Sequence, residues 1–339
     1  MNRTRVAIIG AGGMARHHLR QMLKQTDTTE IVALCEPSEE QARLSRAIFE
    51  ENGQNPPPNQ PNLEQLLATY RPDTAFIITP HAYHYEQAKA CLESGVDVLL
   101  EKPMVMNADE ARRLIEVRNR TGRLLVVAFP GSLSPQIRRA HDLLHNGTVG
   151  ELLSISATVW QNWGPGTVGT WRQEPAISGG GFLFDTGAHM LNTVVDLAGE
   201  EFTEVCAFLD NHGRPVETLG VVIGRLKSGG LVSLHGCGEA IPSCNSAIYV
   251  FTRQAILRTG IWGEFLEIQK AGKQTFRKIP VPASLGVWEQ FLAVRNGAMA
   301  NPCPPEVGLR MAFLYDAIKE SAAQGGKPVR CGTVEPLSI

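Results

Sequence analysis

Five short, unbroken apolar runs punctuate the first third of the chain: Arg5–Ile9, Ile31–Cys35, Ala75–Thr79, Val96–Leu100 and Leu124–Phe129. They are rich in Val, Ile and Leu and do not alternate with polar residues, as strands covered on both faces require. Helix-period segments fall between them, near Met14–Gln25, Ser38–Glu50, Tyr85–Ser94 and Ala108–Thr121. Strand and helix alternating in this way predict a Rossmann-like α/β unit, a doubly wound parallel sheet with helices on both faces. Asn52–Pro61, rich in Pro and Asn, is expected as a loop.

The texture changes near Gly150. Leu152–Trp160, Phe202–Leu209, Val216–Leu226, Leu231–Gly236 and Ala247–Thr252 read as strands, many with alternating polarity. That pattern predicts a largely antiparallel open sheet with one covered face. Helices are expected at Phe182–Leu197, Leu285–Met299 and Glu306–Ala323. With 339 residues, the chain is long enough for two domains. They are expected at residues 1–129 (the parallel sheet) and 130–339 (an α+β domain), with the boundary between Phe129 and Gly150.

Gly10-Ala11-Gly12-Gly13-Met14-Ala15 directly follows the first strand and opens the first helix. G-x-G-x-x-A is a weak pattern alone, since the chain holds 33 glycines. In this place each residue has a task. Gly10 permits the tight turn, Gly12 lets a pyrophosphate approach the backbone, and Ala15 allows close helix–strand packing. The N–H groups around Gly13 and Met14 then face the diphosphate of a dinucleotide. Glu36 ends the second strand, where a carboxylate can accept both ribose hydroxyls and repel a 2′-phosphate. NAD is therefore expected over NADP, although Ser38 and Arg43 leave NADP open. His17 and His18, just past the fingerprint, read as helix-surface residues.

Two further motifs narrow the chemistry. Glu101-Lys102-Pro103 follows the fourth strand, at the sheet edge where doubly wound folds bind ligands. Gly179-Gly180-Gly181-Phe182-Leu183-Phe184-Asp185-Thr186-Gly187-Ala188-His189 sets Asp185 and His189 four apart, on one face of a helix if the segment is helical. Together with the fingerprint, Thr79-Pro80, His84 and Trp171-Arg172, these residues resemble the glucose–fructose oxidoreductase / inositol dehydrogenase (Gfo/Idh/MocA) family over nearly the whole chain. The resemblance implies that Lys102 is catalytic, with its Lys–Pro bond open to the cis form. It further implies that Asp185 positions the reacting hydroxyl and that His189 exchanges its proton. Thr79, Pro80, His84 and Glu101, with Lys102, would line the nicotinamide half of the cofactor site. One departure stands out. Many relatives carry an arginine shortly after the fifth strand, but here Pro130-Gly131-Ser132-Leu133 follows and the first arginine is Arg138.

The residue chemistry agrees with an NAD-dependent dehydrogenase acting on CH–OH groups of a sugar, inositol or related polyol. Oxidising an alcohol sends a hydride to nicotinamide and a proton to a base. Histidine titrates near neutrality, so His189 is expected as the main acid/base, with Lys102 polarising the oxygen and relaying the proton. Trp160, Trp163 and Trp171 could pack on sugar C–H faces or simply bury a loop. Arg172 could meet a substrate carboxylate or make a structural salt bridge. Trp163, Trp171 and Arg172, with Lys102, Asp185 and His189, form the expected substrate site. Asp185 and His189 have no third ligand at useful spacing, so no metal is expected. Two other readings use the same fold: a glycosidase or lyase that retains NAD and uses it transiently, and a non-catalytic dinucleotide or sugar sensor. The three acid/base residues argue against the sensor.

The net charge of -2 carries no basic surplus for nucleic acid, and no polybasic run points to a membrane. Arg3 and Arg5 precede an apolar run, but Gly10, Gly12 and Gly13 break it too early for a signal peptide. Seven singly scattered cysteines read as reduced thiols of a cytoplasmic protein. Beyond the small-molecule substrate, the family resemblance implies a homodimer or homotetramer built on the second-half sheet.

Overall fold

The computed structural model describes residues 3–333 and divides into two compact units. The first takes residues up to 104, then 112–128 and 285–305; the second takes 105–111, 129–284 and the residues from 306 onward.

In the first unit, β1 (Thr4–Ile9), α1 (Gly13–Met22), β2 (Thr29–Cys35), α2 (Glu39–Glu51), α3 (Leu63–Tyr70), β3 (Thr74–Ile77), α4 (His84–Glu93), β4 (Asp97–Leu100), α5 (Ala108–Thr121, whose first four residues are assigned to the second unit) and β5 (Leu125–Val127) follow in order. The five strands form a parallel sheet in the order β2-β1-β3-β4-β5. The chain crosses from one side of β1 to the other, so the ends of β1 and β3 flank the switch point where such sheets bind ligands. Each expected strand is found within a few residues. The expected loop does more than connect. Leu34 N–H donates to the Pro58 carbonyl (2.9 Å), and Gln60 N–H to that of Leu34 (2.9 Å), forming a single parallel bridge outside β2. Pro56, Pro57, Pro58 and Pro61 lack the N–H groups a longer edge strand needs. The core joins Ile8, Phe76, Leu99 and Val126 of the sheet to Ala15, Leu19 and Met22 of α1 and to Ile48 and Phe49 of α2.

The second unit contains α6 (Pro130–Leu133), α7 (Pro135–His145), β6 (Leu152–Asn162), α8 (Trp163–Gly166), α9 (Pro175–Ser178), α10 (Gly187–Ala198), β7 (Phe202–Asp210), β8 (Leu219–Leu226), β9 (Leu231–Cys237), β10 (Glu239–Thr252), β11 (Ala255–Thr259), β12 (Leu266–Lys270) and β13 (Arg277–Lys278). A nine-stranded sheet runs β13-β12-β11-β10-β6-β9-β8-β7-β14, where β14 is Val329–Arg330. Its pairs are antiparallel except β6 with β9. One face is buried through Ile155, Ala157, Val159, Val222, Val232, Leu234, Ile248 and Val250. The buried helix α10 lies against β6 on the core side.

After β13 the chain returns to the first unit through α11 (Val287–Arg295), before α12 (Pro305–Ala323) enters the second. A continuous second domain from residue 130 does not contain this return. Trp288, Phe291 and Leu292 of α11 join the core of the parallel-sheet unit, and Trp288 Nε1–H donates to Thr29 Oγ1 (2.7 Å). Among the described residues, no helix is long and apolar enough to cross a membrane.

Candidate functional site

The first set of site residues gathers where β1 turns into α1. Gly10 has φ +89°, and a Cβ there would lie 2.6 Å from the Ile78 carbonyl oxygen, so both backbone conformation and space demand glycine. Gly12 is the N-cap of α1 with no side-chain cap, no acidic residue stands in the first turn, and a Cβ on Gly12 would meet nothing within 4 Å. The helix therefore presents uncapped N–H groups beside open space, an arrangement that suits an anion. Ala15 is fully buried in the core, as close packing requires, whereas Met14 is half exposed.

Glu36 is tied to this turn. Ala11 N–H donates to Glu36 Oε2 (2.7 Å) and Ser38 N–H to Oε1 (2.9 Å). Asn59 holds the Glu36 main chain from both sides, accepting from its N–H and donating to its carbonyl. The Ala11 carbonyl in turn accepts from Ser45 Oγ (2.7 Å) and Arg16 Nη1 (3.0 Å). Asn59, Ser45 and Arg16 are the supports that sequence reasoning missed. Arg43, which left NADP open, is paired with Glu40 through two 3.0 Å bonds, and Ser38 caps α2.

At the ends of β3 and β4, Thr79 Oγ1 donates to Gln87 Oε1 (2.6 Å), and Pro80 opens a 3₁₀ turn over His81–Tyr83. His84 is fully buried, with Nδ1 2.8 Å from the Pro103 carbonyl and Nε2 2.9 Å from that of Thr79. It therefore fixes these two segments rather than presenting a ring to a ligand. Burial outweighs both hydrogen bonds and lowers its pKa. The Lys102–Pro103 bond is cis. Glu101 accepts from the Lys102 N–H at Oε2 (3.0 Å) and meets His18 Nε2 at Oε1 (2.7 Å). His18 is thus buried, not a helix-surface residue as expected, because its ring packs 4.7 Å from Phe76 and finds a carboxylate partner. His17 is exposed.

In the second unit, each residue of the glycine run faces a fixed obstacle. Gly179 has φ +76° and lies against Met106 and Phe184; a Cβ on Gly180 would strike the Tyr315 hydroxyl, and one on Gly181 the Glu217 carbonyl. Phe182 N–H donates to that carbonyl (2.8 Å), and Gly181 N–H to Glu217 Oε2 (2.7 Å). Tyr315 OH donates to Glu217 Oε1 (3.1 Å). The chain then turns through Asp185, and α10 begins only at Gly187. Asp185 and His189 therefore do not share a helix as expected; Asp185 stands just ahead of the helix whose first turn carries His189.

Asp185 is buried, and its Oδ2 accepts both the Trp163 indole N–H (2.8 Å) and Arg172 Nε–H (3.0 Å). Of the two readings of Arg172, the structural salt bridge is the one observed. Its guanidinium also lies 4.6 Å from the Trp171 ring. Trp160 stands apart on β6, opposite Asn245 and Cys237. His189 sits edge-on to Phe129 (6.0 Å) and 5.8 Å from Trp262, an aromatic neighbour that no motif announces. Arg138, the first arginine after the fifth strand, pairs with buried Asp196, which also accepts from Ser132 (2.6 Å). Burial, helped by the Glu36 charge, pushes the Cys35 thiol up to about 11, and burial pushes Cys91 to about 12. Neither serves as a thiolate near neutral pH.

Comparison with known proteins places these features. Residues 4–129 match the model of the "Oxidoreductase family, NAD-binding Rossmann fold" and residues 137–258 that of the "GFO/IDH/MocA C-terminal domain". D-glucoside 3-dehydrogenase of Escherichia coli (strain K12) is 30% identical over 58% of this chain and 54% of its own. Levoglucosan dehydrogenase of Pseudarthrobacter phenanthrenivorans is 29% identical over 45% of this chain and 40% of its own. The matched stretch thus spans about half the length of these curated relatives. Among solved structures, levoglucosan dehydrogenase with NADH and L-sorbose superposes with a TM-score of 0.84 at 21% identity, covering 98% of this chain and 100% of the other. GenD2 from gentamicin A biosynthesis, solved with NAD, gives 0.82 at 19%, covering 98% and 97%. At these identities the superpositions establish the fold.

Proposed function

The chain belongs to the GFO/IDH/MocA oxidoreductase family, with an NAD-binding Rossmann fold in its first unit, and from that premise we propose that it is an NAD-dependent dehydrogenase acting on a secondary alcohol or ketone of a sugar, inositol or related polyol. The observation that carries the reading is the Asp185 carboxylate. It is buried, fixed by Trp163 and Arg172 through one oxygen, and set at the entrance to the helix that bears His189. Such a carboxylate can orient a hydroxyl, and the imidazole in the first turn of that helix can take and return its proton.

The turn at Gly10, Gly12, Gly13, Met14 and Ala15 fits the diphosphate of NAD, because the start of α1 is uncapped and open. Glu36, already ordered by Ala11 and Ser38, suits the ribose diol. Thr79, Pro80, Glu101 and Lys102 would border the nicotinamide half, with His84 fixing Thr79 and Pro103 behind them. When bound, the nicotinamide accepts or gives the hydride. Lys102 polarises the reacting oxygen, Asp185 orients it and His189 holds the proton. Of the expected substrate set, Trp163 and Arg172 bond Asp185 directly and Trp171 packs on Arg172. The dehydrogenases for D-glucosides and levoglucosan among the relatives support a carbohydrate CH–OH substrate. The dispersed cysteines support a cytoplasmic protein, and an apolar open sheet face in the second unit supports a homodimer or homotetramer.

A panel of polyols, sugars, glucosides and uronates, followed by NADH absorbance with NAD and NADP in parallel, tests the reading. Net NADH formation with NAD is expected. Substrate turnover without it would instead mark an enzyme that restores its own NAD. Lys102→Ala and His189→Ala should each lower turnover by ~100-fold or more while sparing NAD binding. Near-normal turnover in either would remove that residue from the chemistry.

A further inference from the structure

We propose that His18 is a positioning residue for Lys102, linking the helix that opens at the dinucleotide turn to the reacting end of the site. Four observations within the first unit carry this. His18 lies on α1, five residues past Gly13, the first residue of that helix. Its Nε2 is 2.7 Å from Glu101 Oε1, with both side chains nearly buried at 10% and 12% exposure. The other oxygen of the same carboxylate accepts the Lys102 N–H at 3.0 Å. Glu101 is itself anchored, its N–H donating to the Ile77 carbonyl of β3 (2.9 Å).

The chain of contacts is therefore short and has little room to adjust. The His18 ring is backed by Phe76 of β3, with ring centroids 4.7 Å apart. One carboxylate oxygen is fixed by the imidazole, and the other fixes the backbone at Lys102. A carboxylate this buried needs a donor on each oxygen, or it loses its preferred geometry and charge. Burial works to raise the Glu101 pKa, but hydrogen bonding and charge from His18 and Lys102 outweigh it, and the net shift is downward. The ionised Glu101 is thus held in place by its two neighbours. Loss of the His18 donor would free Oε1 to seek another partner and with it shift the segment that begins at Lys102. Small displacements of a reacting group are costly in rate.

This assignment rests on Lys102 serving the proposed dehydrogenation. The test uses the full-length protein and the most active substrate of the panel. In His18→Gln the amide nitrogen reaches the position of Nε2 and keeps the bond, whereas in His18→Asn it stops short. We expect kcat to fall about tenfold in His18→Asn and to stay within about threefold in His18→Gln, with the KM for NAD changing less than threefold in both. A double-mutant cycle with Glu101→Gln should be non-additive, since both changes act on one contact. Equal kcat in the Gln and Asn variants, or additive losses in the cycle, would overturn the role of His18. Should the Asn variant not fold, His18→Leu, which fills the space without a donor, takes its place both in the comparison with His18→Gln and in the cycle, and additivity there counts against the proposal in the same way. If Lys102→Ala turns over normally, the proposed function loses its lysine. If Lys102→Ala is inactive while the His18 variants match each other, only this positioning role fails.

Discussion

Two glycines of the fingerprint separate folding from binding. At Gly10, a side chain would meet both the unfavourable positive φ and the Ile78 carbonyl, so Gly10→Ala should destabilise the protein by about 2–5 kcal/mol in denaturant titrations. At Gly12 the backbone has φ -72° and a Cβ would enter open space. Gly12→Ala should leave stability within about 0.5 kcal/mol and weaken NAD about tenfold or more, or ~1.4 kcal/mol, by fluorescence titration. If Gly12→Ala instead loses stability and keeps its affinity, the open space is not where the diphosphate lies. The sequence carries the identity of both glycines but not this distinction, because the carbonyl that crowds Gly10 belongs to residue 78. The same holds at the Gly179–Gly181 run, whose obstacles are Met106, Tyr315 and Glu217.

Glu217 adds a pH dependence at this scale. Burial raises its pKa above the ordinary 4.5, despite the bonds from Gly181 and Tyr315. A carboxyl raised on folding is protonated in both states below 4.5, so its contribution there is unchanged by pH. As pH climbs through the window from 4.5 to the folded value, the unfolded chain releases its proton first, and stability falls. Glu217→Gln removes that fall. The stability of the variant relative to the native protein should therefore grow from pH 4.5 upward and then level off. Thermal melts across acidic to neutral pH measure it, and a constant offset would show that the carboxyl does not titrate differently in the two states.

At the scale of elements, the legible part is what local pattern controls. The five parallel strands could be read because continuous Val/Ile/Leu runs in βα alternation have few other uses. The strands of the second unit were readable from alternation, although the short β11 to β14 were not, having too few residues for a period to show. Helix α10 begins at Gly187, five residues later than apolar periodicity suggests, because Phe182 and Gly181 are held to Glu217 and cannot join a helical ladder. Helix α11 was readable as a helix but not as a part of the first unit, since its pattern does not name the sheet it packs on. Its anchoring residue is Trp288, which is 2% exposed and hydrogen-bonded to Thr29. Trp288→Ala should cost about 3–5 kcal/mol. Hydrogen exchange should show the loss in β1, β2 and α1, the elements of its core cluster. Loss confined to the second unit would contradict the assignment of α11.

At the scale of the molecule, the open face of the nine-stranded sheet sets the last expectation. An antiparallel sheet with one covered face should be polar on the other. Here Phe208, Val221, Ile223 and Leu231 point outward with 65%, 50%, 58% and 53% exposure. Val221 and Ile223 are two apart on β8 and so share a face, and Phe208 of β7 stands opposite Val221; on β9 the residues opposite are His235 and Ser233, the latter hydrogen-bonded to Ser156 (3.1 Å). Single exposed apolar residues are ordinary, but Phe208, Val221 and Ile223 neighbour one another on one open face, as at an association surface. The proposed homo-oligomer would use this face most simply through a two-fold axis, which buries the same patch on both partners. Sedimentation velocity should therefore give a dimer or a higher even-numbered assembly. The double variant Val221→Glu, Ile223→Glu should dissociate it, because like charges on a buried apolar face lose their hydration and repel one another and their copies across the axis. NAD affinity should be unchanged, since none of these residues belongs to the cofactor set. A monomeric native protein, or a double variant that stays assembled, would move the interface elsewhere.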